Sequence, residues 1–177
     1  MIGNVMVSGS SRQVYRWFYV ALGNLLMMCL GTVYAWSVFR IPVEQTFGIG
    51  TALSGLPYMV SLAFYAIFML VSGKYLNRFS PRRVLTAGAL LVGSGWIASS
   101  FASNIYTLTL TYGVISGAGV GIAYGVPMAV VAKWFPDKKG LAVGLVLVGF
   151  GLSPLVTAPL ARQLIEVYGG MQTFLIL

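Results

Sequence analysis

Apolar runs about twenty residues long, separated by short polar gaps, set the pattern of this chain. Five of them cover Trp17–Phe39, Ala52–Ser72, Val84–Ala102, Thr107–Ala132 and Leu141–Ala161, and none contains Lys, Arg, Asp or Glu. A helix needs about 20 apolar residues to cross a hydrocarbon core about 30 Å thick. The pattern therefore predicts an all-α membrane protein with a short N-terminal segment, 1–16, and a transmembrane bundle, 17–177. A sixth run opens at Met171 and reaches only Leu177, too short to cross, so the chain reads as part of a longer protein or as a split gene product.

The gaps assign an orientation, because Lys and Arg collect on the cytoplasmic side. Arg12 and Arg16 precede span one, Lys74, Arg78, Arg82 and Arg83 follow span two, and Lys133, Lys138 and Lys139 follow span four. With a cytoplasmic N-terminus all nine lie inside, leaving only Arg40 and Arg162 outside. The gap "SNIY" is short enough to force spans three and four into an antiparallel hairpin.

Composition narrows the chemistry. Hydrophobic residues make up 58% and charged residues 8% of the 177, against roughly a quarter charged in a soluble domain. The net charge of +8 sits in loops and not on a polar face, which argues against nucleic acid as a partner and for the lipid bilayer. There is no histidine, the three acids lie in gaps, and Cys29 is alone, so no metal cluster, cofactor site or acid/base pair of an enzyme is expected. The first apolar run is too long for a cleaved signal and lacks an A-x-A-like site.

Polar residues within the spans need partners, because an unpaired group in hydrocarbon costs several kcal/mol. Ser54, Tyr58, Ser61 and Tyr65 fall on one face of span two, where the hydroxyls either pair within the bundle or line a wet path. In span one Asn24, Met27, Gly31 and Tyr34 share a face, while Tyr34 and Trp36 suit either an aromatic belt or a pocket. Span four carries "GAGVGIAYG", with Gly117, Gly121 and Gly125 four apart; this is not GxGxxG after a strand, and it reads as close helix packing. Tyr124 beside them projects toward a neighbouring helix or into a cavity. Pro154 and Pro159 lie inside span five and predict a bend there, with Ser153 and Thr157 able to satisfy freed groups.

The stretch "GKYLNRFSPRR" resembles the loop between helices two and three of the major facilitator superfamily: Gly73, Arg78, Arg82 and Arg83 match, while Asn77 replaces the usual acid and Ser80 a glycine. "RFSPRRV", "LGTVYAWSVF" and "KWFPDKKGLAVG" resemble the oxalate/formate antiporter branch. The resemblance covers nearly the whole chain and implies the amino-terminal six-helix half of a twelve-helix carrier working by alternating access. It implies small organic anions, oxalate- or formate-like carboxylates, as substrate, with exchange as the mode. Tyr34 and Tyr124 match aromatic positions near the family's cavity. Val33 stands where oxalate carriers have a glutamine, and Gly113 near where some proton-coupled carriers have an arginine. Gly140, Gly149, Ser153 and Pro154 resemble the helix-five pattern of antiporters.

Together these readings nominate Asn24, Tyr34, Trp36, Tyr58, Ser61 and Tyr124 for the substrate path. They nominate Gly73, Asn77, Arg78, Arg82 and Arg83 as a conformational-switch loop, and Gly149, Ser153 and Pro154 as the bend of helix five. With no basic residue inside a span, the charged contacts to an anion are expected from a carboxy-terminal half. The alternatives are a proton-linked monocarboxylate transporter, or a non-transporting half that needs a separate partner.

Overall fold

The computed structural model describes residues 3–76 and 78–177, with side chains described from Tyr15 onward except at Asn77. Among the described residues every regular element is helical. The first rod runs through α1 (Gly3–Leu30), a 3₁₀ segment (Gly31–Ala35) and α2 (Trp36–Phe47). A short α3 (Thr51–Ser54) leads into α4 (Leu56–Tyr75), the second rod, and α5 (Pro81–Ser100) is the third. The fourth joins α6 (Ile105–Leu108), a π-helical stretch (Thr109–Ser116) and α7 (Gly117–Trp134); α8 (Lys139–Tyr168) is the fifth, and α9 (Gly170–Ile176) follows.

Among the described residues four rods are long and apolar enough to cross a membrane: Tyr15–Phe47, Thr51–Tyr75, Ile105–Trp134 and Lys139–Tyr168. The helix expected at Val84–Ala102 is present as α5, whose 20 residues reach about 30 Å. It falls outside the apolar set because its first turn carries Arg82 and Arg83 and its body carries glycine, serine and threonine.

Two helices run well beyond the apolar limits read from sequence. Span one was expected to stop at Phe39, yet the helix continues past Arg40 and Glu44 to Gly48, whose φ of 61° ends it. Span five was expected to stop at Ala161, yet α8 continues past Arg162 and Glu166 to Gly169, at φ 85°. A charge marks where hydrocarbon ends. A left-handed glycine marks where the helix ends. At the other hairpin the short loop behaves as expected: Asn104 caps the fourth rod, its side-chain oxygen accepting from the Thr107 N–H at 2.8 Å.

Glycine sets the closest approach in the bundle. A Cβ on Gly117 would lie 2.6 Å from the Ser61 carbonyl oxygen, and one on Gly121 would lie 2.5 Å from that of Tyr65, so the second and fourth rods meet backbone to backbone. The expected small-residue packing of "GAGVGIAYG" is therefore directed at α4. The first and fifth rods pack in the same manner through Gly31 and Gly149. Large apolar side chains such as Leu70, Leu90, Phe101 and Leu155 point outward, the surface expected where the solvent is lipid.

Candidate functional site

Two aromatic groups organise the interior. Tyr34 meets the Phe150 ring edge-on at 5.1 Å between centroids, as does Tyr124. Tyr65 stands T-shaped to Tyr124 at 5.3 Å and stacked on Phe150 at 6.2 Å. Three tyrosines from the first, second and fourth rods thus surround one phenylalanine of the fifth. The second group is dry: Trp36, Phe39, Trp96, Tyr112 and Phe174 interlock, with Phe39 and Phe174 stacked at 4.6 Å. Its members are buried or half-buried.

A cavity of about 760 Å³ opens above the first group, between the first and second rods. Tyr34, Trp36, Ser37, Arg40, Glu44, Thr51 and Tyr58 contribute to its wall. Tyr34 is 39% exposed there, and its backbone belongs to the 3₁₀ segment. A tightened turn inside a long helix commonly marks a hinge, and a π-helical stretch often marks a functional site; here each lies beside an aromatic group.

The nominated path residues divide. Tyr34 and Tyr58 line the cavity, and Tyr124 joins the tyrosine group below it. Trp36 borders the cavity but is 4% exposed, and its indole N–H donates to the Ser54 carbonyl at 3.1 Å, so it is a buried wall and not a belt anchor. Ser61 does not line the cavity: it is 1% exposed, its hydroxyl donates to the Tyr58 carbonyl at 2.7 Å, and its backbone is the surface against which Gly117 packs. Asn24 is likewise taken up by packing, its amide donating to the Leu145 carbonyl at 2.8 Å across to the fifth rod, with Gly149 pressed against it.

The helix-five residues belong to the same seam. Ser153 donates to the Met28 carbonyl at 2.6 Å, and α8 remains one helix through Pro154 and Pro159. Pro154 cannot donate to the Phe150 carbonyl four residues earlier. That freed oxygen is the atom Gly31 faces: a Cβ there would lie 2.5 Å from it. Backbone exposed by a proline is covered by a glycine of the neighbouring rod, a close contact of the Cα–H to oxygen type.

In the basic loop, Gly73 is exposed in α4, Asn77 lies outside the described residues, and the Arg78 and Phe79 N–H groups both donate to the Tyr75 carbonyl. The Arg78 guanidinium stands 5.9 Å from the Tyr75 ring centroid. Arg82 and Arg83 occupy the first turn of α5, where the helix dipole disfavours cations, so helix stability does not explain them. Among the described residues none of these three arginines is ion-paired.

Near the same end, the "KWFPD" stretch docks on the start of the first rod. Arg16 pairs with Asp137 and lies over the Phe135 ring at 4.4 Å, Trp17 meets Phe135 edge-on, and Tyr19 stacks on Trp134. Asp137's own backbone N–H, and next the Arg16 guanidinium, hold its carboxyl below the usual range.

The sequence reading missed Arg40, Phe150 and the place of Tyr65. The apolar limits leave Arg40 in a loop; the signal for its helix is Glu44 at i+4, which accepts from its Nε at 3.2 Å. Tyr65 was seen on the hydroxyl stripe but not nominated. Nothing in the sequence singled out Phe150.

The pattern of the Major Facilitator Superfamily matches residues 20–177. The chain belongs to that superfamily. Among curated proteins it is 36% identical over 155 residues to the oxalate:formate antiporter of Oxalobacter formigenes, covering 87% of this chain and 37% of that protein. It is 30% identical over 142 residues to monocarboxylate transporter 9 of Gallus gallus, covering 80% and 28%. To the riboflavin transporter RibJ of Trypanosoma brucei brucei it is 31% identical over 164 residues, covering 89% and 30%. The chain thus spans well under half the length of these relatives. As a superfamily member it is a multi-pass membrane protein of a transporter family, not an enzyme, and its helices are consistent with the amino-terminal half of the superfamily fold.

Proposed function

We propose that the chain is the amino-terminal half of a carrier that moves small carboxylates across the cytoplasmic membrane by alternating access, exchanging one for another. It completes its path with a carboxy-terminal half, in the same chain or a separate one. The observation that carries this reading is the tyrosine group: Tyr34, Tyr65 and Tyr124 converge on Phe150 beneath a cavity that also receives Tyr58. Hydroxyls on an aromatic wall offer donors to a carboxylate without fixing it so firmly that it cannot leave. The 36% identity to the oxalate:formate antiporter supports the substrate class. A cytoplasmic N-terminus fits the geometry, since Arg16, Arg82 and the Asp137 loop belong to one end of the bundle.

The basic loop takes part by engaging acids in another conformation, and the 3₁₀ segment and the Gly31–Phe150 contact supply the place where the first rod flexes. Proteoliposomes holding the complete carrier test the whole reading. Labelled oxalate, formate or a monocarboxylate will exchange against internal carboxylate; failure of all three overturns it. The similarity to monocarboxylate transporter 9 supports monocarboxylate transport as a second reading, for which we propose proton linkage as the mode. An imposed pH gradient then drives uptake, and indifference to the gradient excludes it.

A further inference from the structure

Among the described residues the cavity wall holds one cation, Arg40, and its bonding is uneven. The Nε–H is shared between Glu44 Oε1 at 3.2 Å and Ser54 Oγ at 3.1 Å, and Nη2 donates to the Thr51 carbonyl at 3.0 Å. Ser54, itself fully buried, lies 2.6 Å from the same Glu44 oxygen, which fixes the carboxylate from behind. One side of the guanidinium is thereby tied to protein. Nη1 has no acceptor among the described residues, and 41% of the side chain is exposed where it contributes to the cavity wall. A guanidinium carries five N–H donors in a planar fork, so the end formed by Nη1 and Nη2 retains room for a carboxylate.

We propose that Arg40 is a capture site for small carboxylate anions at the mouth of the cavity, taking the anion on its Nη1–Nη2 end before it reaches Tyr34 and the tyrosine group. This deepens the reading of the chain as part of a carboxylate carrier and rests on it. Glu44 gives the site its character. Its charge beside the guanidinium weakens the hold on a second anion, so the substrate is concentrated at the mouth without being trapped there. The pair also fixes the side chain, which spares Arg40 part of the cost of ordering on each encounter. Charged contacts to the substrate therefore do not come only from a carboxy-terminal half.

The test reads the local charge without requiring transport. Ser37 lines the same cavity three residues before Arg40, on the adjoining helical position. In the complete carrier with Cys29→Ala and any other native cysteines removed, Ser37→Cys is labelled at low salt with an anionic and a cationic methanethiosulfonate reagent. Arg40→Gln is expected to lower the anionic-to-cationic rate ratio about tenfold, the effect of one unit charge on two opposite reagents roughly 6 Å away in water. Arg40→Lys keeps the ratio, and Glu44→Gln raises it. Sodium formate slows labelling with Arg40 present and not with Arg40→Gln, while sodium chloride at equal strength does not. A ratio insensitive to Arg40→Gln and Glu44→Gln, or equal protection by formate and chloride, overturns the capture site. Should wild-type proteoliposomes move no carboxylate, the functional reading falls by itself, and the labelling ratio still decides whether Arg40 presents its charge to the cavity.

Discussion

At the scale of single residues, a hydroxyl's position in the fold decides whether it can meet a substrate. Ser61 and Tyr58 lie three apart on one rod, yet Ser61 is sealed against Gly117 while Tyr58 lines the cavity. Ser61→Ala in the complete carrier will leave KM for carboxylate within about twofold, since it removes only a bond to the residue's own turn. Gly117→Val acts differently. Its side chain would enter the space of the Ser61 carbonyl, and overpacking of that kind costs about 1–3 kcal/mol. A lowered thermal-unfolding midpoint in detergent checks it, and an unchanged midpoint contradicts the backbone contact. The hydroxyl periodicity was legible in the sequence, but which of the four faced a cavity depended on the glycines of another rod.

Among the elements, the apolar cores of all five rods are legible in the sequence, while the far ends of the first and fifth are not. Reading stopped at Arg40 and Arg162 because a charge is costly in hydrocarbon, but once beyond it a helix continues until its backbone is interrupted. Gly48 and Gly169, both at positive φ, do that. The missed turn carries Arg40, which lines the cavity. At the opposite end, the loop after the fourth rod is fastened to the first by Arg16 and Asp137. The Asp137 carboxyl titrates below its ordinary value of 3.8 in the folded state, so its contribution to stability is present above that value and is lost as the pH falls through the depressed one. Comparing the wild type with Asp137→Asn across acidic pH measures this. The two midpoints are expected to converge as the pH falls, and a gap that stays constant contradicts the assigned cause.

For the whole molecule, the bundle is a layered device with a basic end, a tyrosine group around Phe150 in the middle, and a cavity holding Arg40 beyond it. Superfamily membership is legible from the loop after the second rod. The convergence of Tyr34, Tyr65 and Tyr124 was not, because they lie on three rods and meet through Phe150, an aromatic flanked by Gly149 and Gly151 that resembles any other core residue in a sequence. Whether the tyrosine group carries the carboxylate is decided by the kinetics of Tyr124→Phe in the reconstituted carrier. Loss of one hydroxyl donor to a charged group, worth about 1.5–3 kcal/mol, predicts a KM for carboxylate exchange raised roughly tenfold or more with protein stability retained. Exchange with unchanged KM and unchanged rate would contradict it.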